Sequence, residues 1–156
     1  MALVTPSFFD TSVLVAGLIE IGPASEHAQK IMSRIADGKI RAAATAWHCC
    51  LEFFAVSTRL PEEFRLAPPD AIQLIEEEIL ARFRVEDLPE KARRIFLRTV
   101  RADRLIGGRI YDGHIGEIAR EMGAKLVITE NRRHFLGLLR HGIRVLSAEE
   151  FASRAQ

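Results

Sequence analysis

The hydrophobic positions of this chain fall into two kinds of pattern, short continuous runs and longer stretches with apolar residues at steps of three and four. The short runs predict strands at residues 7–9, 40–44, 83–85, 125–129 and 143–146. The longer stretches predict helices over residues 11–18, 24–36, 45–60, 68–80, 112–122 and 134–141, with further helices beginning at Pro89 and at a capping box, SAEE, over residues 147–150. Because strands alternate with helices, we expect a layered α/β fold with a mainly parallel sheet.

The segment from residue 109 to 135 joins a helix, a strand and a polar cluster. Asp112 stands just before apolar positions spaced for one helix face, and Gly123 closes that helix. The run 125–129 then ends at Glu130 and Asn131. Polar groups therefore collect at the carboxyl end of a strand, the edge where open α/β sheets usually build their sites.

The helix over residues 45–60 is apolar on nearly every side, which predicts that it is buried. We expect Thr45 to cap its amino end and Trp47 to belong to the core. Glu52 is the one carboxylate inside it. A buried carboxylate needs a partner, so Glu52 is either a metal ligand or the partner of an arginine.

The composition restricts the number of domains and the overall charge, but it does not identify the function. A chain of 156 residues with 48% hydrophobic content suits a single domain spanning residues 1–156. A net charge of +1 gives no overall basic excess, but nine Lys or Arg against four acids lie between residues 82 and 109, and residues 132–144 contain bases and no acid. We interpret the first patch as a solvated helix face, with phosphate contact as the alternative.

The cysteines and the first residues bear on the cellular setting. Cys49 and Cys50 are adjacent in an apolar stretch, which suits neither a disulfide framework nor a zinc site. The opening residues lack a charged leader and reach Asp10 before a long apolar run develops. We expect a cytoplasmic protein without a membrane span.

Four polar residues are predicted at strand ends or on buried helix faces, namely Asp10, Glu52, Asp112 and Asn131. If they converge, they supply the oxygen ligands that Mg²⁺ or Mn²⁺ takes, and a cation would relieve the repulsion among the carboxylates. Such an ion can generate hydroxide and stabilise charge on a phosphodiester. Each residue also has a structural alternative: Asp112 and Asn131 as helix caps, and Asp10 as an Asx-turn residue.

These motifs, taken together, resemble the PIN-domain ribonucleases, and most of all the VapC-type toxins of toxin–antitoxin pairs. The resemblance rests on FFDTSVLVAGL, on the helix with Glu52, and on GGRIYDGHIGEIAREMGAKLVITENRRHF, in the family's order and spacing. It implies a three-layer PIN-like fold with a central mainly parallel sheet flanked by helices. It also implies that Asp10, Glu52 and Asp112 bind Mg²⁺ or Mn²⁺, with Asn131 in the fourth ligand position and Thr129 beside it.

Asn131 departs from the fully acidic form of the family pattern. The amide removes one negative charge, so we expect weaker metal binding and a less secure second ion. Glu130 is not expected to compensate, because successive residues at a strand end point to opposite faces. We assign substrate contacts to Thr11, Thr129, Arg132 and Arg133, the two arginines as phosphate ligands. His114 and His134 are expected to be surface or capping residues.

The function predicted from the resemblance is that of a metal-dependent endoribonuclease, with RNA as substrate, a homodimeric assembly and a cognate antitoxin as partner. An alternative is a catalytically weak PIN-like domain that binds RNA or protein, because the fourth acid is missing. An aspartyl-phosphate phosphatase is a third candidate, although Ser12 stands where its D-x-D motif requires a second aspartate. Nucleotide-cofactor binding is disfavoured, since no G-x-G-x-x-G or Walker-type loop occurs.

Overall fold

A computed structural model describes residues 1–154 of the protein. Its centre is a five-stranded sheet in which every strand pair is parallel, in the order β3-β2-β1-β4-β5. The strands are β1 Ser7–Phe9, β2 Ala43–Ala46, β3 Arg84–Glu86, β4 Leu126–Ile128 and β5 Arg144–Leu146. The helices that flank this sheet are α1 Thr11–Leu18, α2 Glu26–Ala36, α3 Trp47–Ser57, α4 Pro68–Leu74, α5 Arg93–Ala102, α6 Arg109–Glu121 and α7 Ala148–Arg154. The expected α/β fold with a parallel sheet is confirmed.

The two central strands, β1 and β4, are buried along their whole length. Their runs, SFF and LVI, have the continuous apolar character of strands covered on both faces. β1 lies between β2 and β4, so the strand order reverses at β1. Crevices at the carboxyl ends of strands form at such a reversal, and residues that directly follow β1 and β4 therefore meet there.

The helices pack against one another around this sheet. α1 contacts α2 and α3, α2 contacts α7, and α5 contacts α6. Beneath the carboxyl end of β1, the fully buried ring of Phe9 makes edge contacts with Phe83 and Phe151, at centroid distances of 5.8 and 5.4 Å. These rings join β1 to the segment before β3 and to α7, so the strand that ends at Asp10 is fixed from two directions.

Helix α3 differs from its prediction. Ala46, not Thr45, precedes its first turn, and the Thr45 hydroxyl donates to the Phe9 carbonyl at 2.8 Å. Trp47 and Leu51 are 43% and 56% exposed, so α3 is not buried on every side and Trp47 is not a core residue. Their spacing of four places both on one solvent-facing stripe, which hydrophobicity alone could not reveal.

Other boundaries moved by a few residues. The predicted strand 40–44 is β2 at Ala43–Ala46, and the predicted helix 134–141 is a pair of 3₁₀ segments, Arg132–His134 and Leu136–His141. The helix predicted over 68–80 continues from α4 as a π-helical segment, Ile75–Leu80. The capping box before α7 is confirmed, because the Glu150 N–H donates to the Ser147 hydroxyl and the Glu150 carboxylate accepts from the Ser147 N–H. Within residues 1–154, no helix is both long and apolar enough to cross a membrane.

Candidate active site

Asp10 directly follows β1 and is 4% exposed. Its Oδ2 accepts hydrogen bonds from the Thr129 hydroxyl at 2.8 Å and from the Ser12 hydroxyl at 3.0 Å. Its backbone N–H donates to the Ile128 carbonyl, which joins the ends of β1 and β4. Asp10 precedes α1 without making a side-chain cap bond, so its carboxylate faces the hydroxyls at the strand ends instead.

Glu52 lies on the second turn of α3 and is partly exposed. Its Oε1 accepts from the Thr11 hydroxyl at 3.2 Å and lies 3.5 Å from Nε2 of His48, one helical turn earlier. The contacts of this carboxylate are therefore a hydroxyl and an imidazole, and the arginine partner considered from the sequence is not among them. Thr11 links Glu52 to the residue next to Asp10.

Asp112 lies inside the first turn of α6 and is not the residue that precedes it, which is Gly108. The helix-cap alternative for Asp112 is therefore wrong. Its Oδ2 lies 2.9 Å from Nδ1 of His134 and 3.9 Å from Nε of Arg109. His134, expected to be a surface or capping residue, is instead a partly buried neighbour of this carboxylate.

The pKa values of two of the three carboxyls are shifted by burial and by neighbouring charges. Burial raises the pKa of Asp10, the Thr129 and Ser12 hydroxyls oppose that rise, and the charge of Asp112 adds to it. Burial likewise raises the pKa of Glu52, with further contributions from the charges of Asp10 and Asp112. This repulsion and burial together disfavour ionisation of Asp10 and Glu52 in the absence of a cation.

Thr129, fully buried after β4, connects several parts of the site. Its hydroxyl donates to Asp10 and accepts from the Asn131 backbone N–H at 3.0 Å. Asn131 itself is exposed and precedes a 3₁₀ segment without a side-chain cap bond. Glu130 turns away and accepts from the Ala148 N–H at 2.9 Å, at the start of α7. Glu130 therefore does not serve as an extra ligand beside Asp10, whereas Asn131 lies on the border of a separate open cavity that Glu130 also lines, and its role as the fourth ligand stays a prediction.

The two arginines after Asn131 have different surroundings. Arg132 forms an ion pair with Glu150 of α7. Arg133 is exposed and lines a cavity of ≈ 290 Å³ beside Asp112, together with Arg109, His134 and Arg140. Arg140 is paired with Asp103 on the same cavity wall, so Arg109 and Arg133 are the arginines that border the open space next to Asp112.

The donor set agrees in chemistry with a hard divalent cation, because Asp10, Glu52, Asp112 and Asn131 offer oxygen atoms. The Asp10 carboxylate is buried and oriented by two hydroxyls. The carboxylates of Glu52 and Asp112 instead lie beside the imidazoles of His48 and His134. Within residues 1–154, no three His, Cys, Asp or Glu side chains are grouped as a ready metal site. The chemistry of the residues fits Mg²⁺ or Mn²⁺, and binding would use Glu52 and Asp112 in competition with these histidines.

Sequence reasoning missed Ser12 and His48 as neighbours of the acids. Ser12 follows Asp10 by two residues in the DTS triplet, a spacing at which a hydroxyl can reach back to the carboxylate, as it does here. His48 precedes Glu52 by four residues, which places both on one face of a helix. The contact of His134 with Asp112 had no such local signal, because it depends on how the segment after β4 folds over α6.

Fold and site define an α/β protein in which a buried aspartate at the carboxyl end of the central strand is electrostatically coupled to carboxylates on two neighbouring helices. The family model described as PIN domain matches residues 7–133. Ribonuclease VapC27 of Mycobacterium tuberculosis is 32% identical over 132 residues, covering 81% of this chain and 86% of that protein. The chain belongs to the PIN-domain family.

Solved structures share the fold at low sequence identity. PAE2754 from Pyrobaculum aerophilum has a TM-score of 0.63 at 18% identity, with 98% of each chain covered. VapBC-1 from nontypeable Haemophilus influenzae has a TM-score of 0.62 at 15% identity, covering 94% of this chain and 99% of the other. These likenesses extend the agreement of fold to nearly the whole chain.

Proposed function

We propose that this protein is a metal-dependent endoribonuclease that hydrolyses RNA phosphodiester bonds and acts as the toxin of a toxin–antitoxin pair. The observation that carries this proposal is the buried Asp10 carboxylate, held by two hydroxyls and electrostatically coupled to Glu52 and Asp112. A cluster of this kind is costly without a cation, which favours a metal-dependent reaction. Membership of the PIN-domain family and similarity to Ribonuclease VapC27 support RNA as the substrate.

In this proposal Asp10, Glu52, Asp112 and Asn131 would hold Mg²⁺ or Mn²⁺. The cation would supply an activated water and stabilise charge on the phosphate. Thr129 and Ser12 fix the Asp10 carboxylate in one orientation, and Thr11 does the same for Glu52. Such fixed groups lower the cost of assembling the site during the reaction.

The substrate path proposed here follows the cavity beside Asp112. Arg133 and Arg109 on its border are suited to bind RNA phosphates by paired hydrogen bonds. Arg132 would contribute once its ion pair with Glu150 opens, and exposed ion pairs of this kind are weak. Thr11 and Thr129 were expected to contact the substrate, but both are buried and their hydroxyls donate to Glu52 and Asp10, so their proposed role is to orient these two acids.

The proposed partners are RNA, a cognate antitoxin and a second copy of the chain. Similarity to the VapBC-1 structure and to a VapC ribonuclease supports the antitoxin. The homodimer stays a prediction from the family resemblance. We propose a cytoplasmic setting, where RNA is available and where the free Cys49 and Cys50 suit a reducing medium.

The test is cleavage of defined RNA oligonucleotides by the pure chain, freed of any bound partner. We expect cleavage only when Mg²⁺ or Mn²⁺ is present. A chelator is expected to stop the cleavage, and restoring the cation is expected to restart it. The second candidate is a catalytically weak binding module, which the amide at Asn131 favours. Such a module would bind RNA without cutting it. Binding without cleavage at saturating Mn²⁺ would overturn the nuclease proposal in favour of that module.

The affinity for Mg²⁺ is expected to weaken as the pH falls, beginning above the range where ordinary carboxyls titrate. The reason is that burial raises the pKa values of Asp10 and Glu52, so protons compete with the cation at higher pH than usual. Calorimetric titration of Mg²⁺ at a series of pH values measures this. A constant affinity from neutral pH down to the ordinary pKa of an aspartate would contradict it.

A further inference from the structure

Two histidines on different helices face each other beside the acidic cluster. Nδ1 of His48 on α3 lies 3.0 Å from Nδ1 of His114 on α6. Their side chains are 21% and 26% exposed. The rings of Tyr111 and Phe96 lie 5.7 Å from His48 and His114 respectively, so aromatic groups border the pair. The pair is thus partly shielded and still reachable from solvent.

Each imidazole has a carboxylate near its outer nitrogen. Nε2 of His48 lies 3.5 Å from Glu52, and Nε2 of His114 lies 3.9 Å from Asp87. A carboxylate favours a proton on the nitrogen that faces it, which leaves the lone pair on the other nitrogen. The two Nδ1 atoms, 3.0 Å apart, are then the nitrogens that a shared cation could contact from one side of the line that joins them.

We propose that His48 and His114 form a binding site for a transition-metal cation of the Ni²⁺, Cu²⁺ or Zn²⁺ class. Carboxylates behind ligating imidazoles are the usual outer partners of such metal sites. With metal–nitrogen bonds of about 2.0–2.1 Å, a nitrogen separation of 3.0 Å subtends roughly 90° at the metal. That angle suits neighbouring ligands in square-planar or tetragonal coordination, so we expect Cu²⁺ and Ni²⁺ to bind more tightly than Zn²⁺.

This site is separate from the proposed magnesium site in its chemistry. Imidazole nitrogens select borderline metals, whereas the oxygen atoms of Asp10, Glu52 and Asp112 select Mg²⁺ or Mn²⁺. The histidine pair supplies two protein ligands, and water completes the coordination. A cation there would link α3 to α6, the helices that carry Glu52 and Asp112.

The experiment titrates Ni²⁺ and Cu²⁺ into the full chain without an affinity tag and without RNA, by calorimetry and by Cu²⁺ paramagnetic resonance. With excess Mg²⁺ present to occupy the acidic ligands, saturable binding of one further cation per chain is expected, with hyperfine coupling from two imidazole nitrogens. His48→Gln and His114→Gln are each expected to weaken binding by about tenfold or more. His27→Gln, on α2, is the matched histidine control, and Asp10→Asn tests independence from the acidic cluster; both are expected to retain binding.

Several outcomes would overturn the site. One is the absence of saturable binding, which would mean that the imidazoles share a hydrogen bond only. A second is undiminished affinity in both His48→Gln and His114→Gln, with thermal melts showing that the variants are folded. A third is loss of binding in Asp10→Asn, which would assign the cation to the acidic cluster. Because no RNA is present, these results do not depend on whether the chain is a ribonuclease.

Discussion

Replacing Asp10 by asparagine is expected to lower the rate of RNA cleavage by at least about a hundredfold, the scale on which loss of one charge-stabilising group is felt. The carboxylate is the most deeply buried of the four proposed ligands and is oriented by both Thr129 and Ser12. The amide is nearly the same size and keeps an oxygen that accepts from those hydroxyls. The loss therefore reports on charge and metal binding, measured as kcat/KM with Mg²⁺.

The same substitution is expected to stabilise the metal-free protein at neutral pH. Because burial raises the pKa of Asp10, the folded protein binds its proton more tightly than the unfolded chain does. The stabilising contribution of this carboxyl is complete below the unfolded pKa and is lost as the pH rises through the folded pKa. A neutral amide avoids that loss, so we expect a gain of about 1 kcal/mol, or roughly 2–4 °C in Tm.

Asp37→Asn is the matched control for Asp10→Asn, since Asp37 is an exposed residue after α2. It is expected to change neither cleavage nor Tm measurably. If Asp10→Asn cleaves RNA as fast as the parent, Asp10 is not part of the active site. If its Tm falls while Asp37→Asn is neutral, the carboxylate is structural, and a loss of cleavage would then reflect folding.

Replacing Asp112 by asparagine is also expected to lower kcat/KM for RNA cleavage by at least about a hundredfold. Asp112 raises the pKa of both Asp10 and Glu52 through its charge, which means that its field reaches both acids. Removing that charge lowers the affinity for a cation. The carboxylate also borders the cavity with Arg109 and Arg133, where we propose that RNA lies.

Asp70→Asn provides a control that matches Asp112→Asn in helix position. Each aspartate lies in the first turn of its helix, so each substitution loses a similar favourable interaction with the helix dipole. A loss of cleavage confined to Asp112→Asn therefore cannot come from the helix terminus. His134→Gln tests the neighbouring contact, and a loss as large as that of Asp112→Asn would mean that Asp112 acts only by positioning His134.

Strand and helix types were predictable from the sequence because burial imposes a period on hydrophobic residues. β1 and β4 are continuous apolar runs, and the capping box before α7 is a local motif of side chain and backbone. For helix α3, the hydrophobic pattern did not predict which side chains are exposed. Its composition predicts burial on every side, but Trp47 and Leu51 face solvent, because the neighbours that cover α3 are set by topology.

The candidate site was only partly predictable for the same reason. The motifs indicated Asp10, Glu52 and Asp112, and the structure adds how they are held. Thr129 lies 119 residues from the carboxylate it orients, and His114 lies 66 residues from the imidazole it faces. No local pattern encodes such a contact, since it exists only once β4 and α6 lie beside β1 and α3.

The pairing of β1 with β4 joins residues that the ribosome adds to the chain at widely separated times. Asp10 is made early, but the hydroxyl that orients it follows 119 residues later. At roughly 5–20 residues per second, the growing chain carries the first half of its site for about 6 to 24 seconds before the second half is translated. During that interval the Asp10 carboxylate has been synthesised without the Thr129 hydroxyl that orients it, so the site described here cannot be complete until β4 has been made.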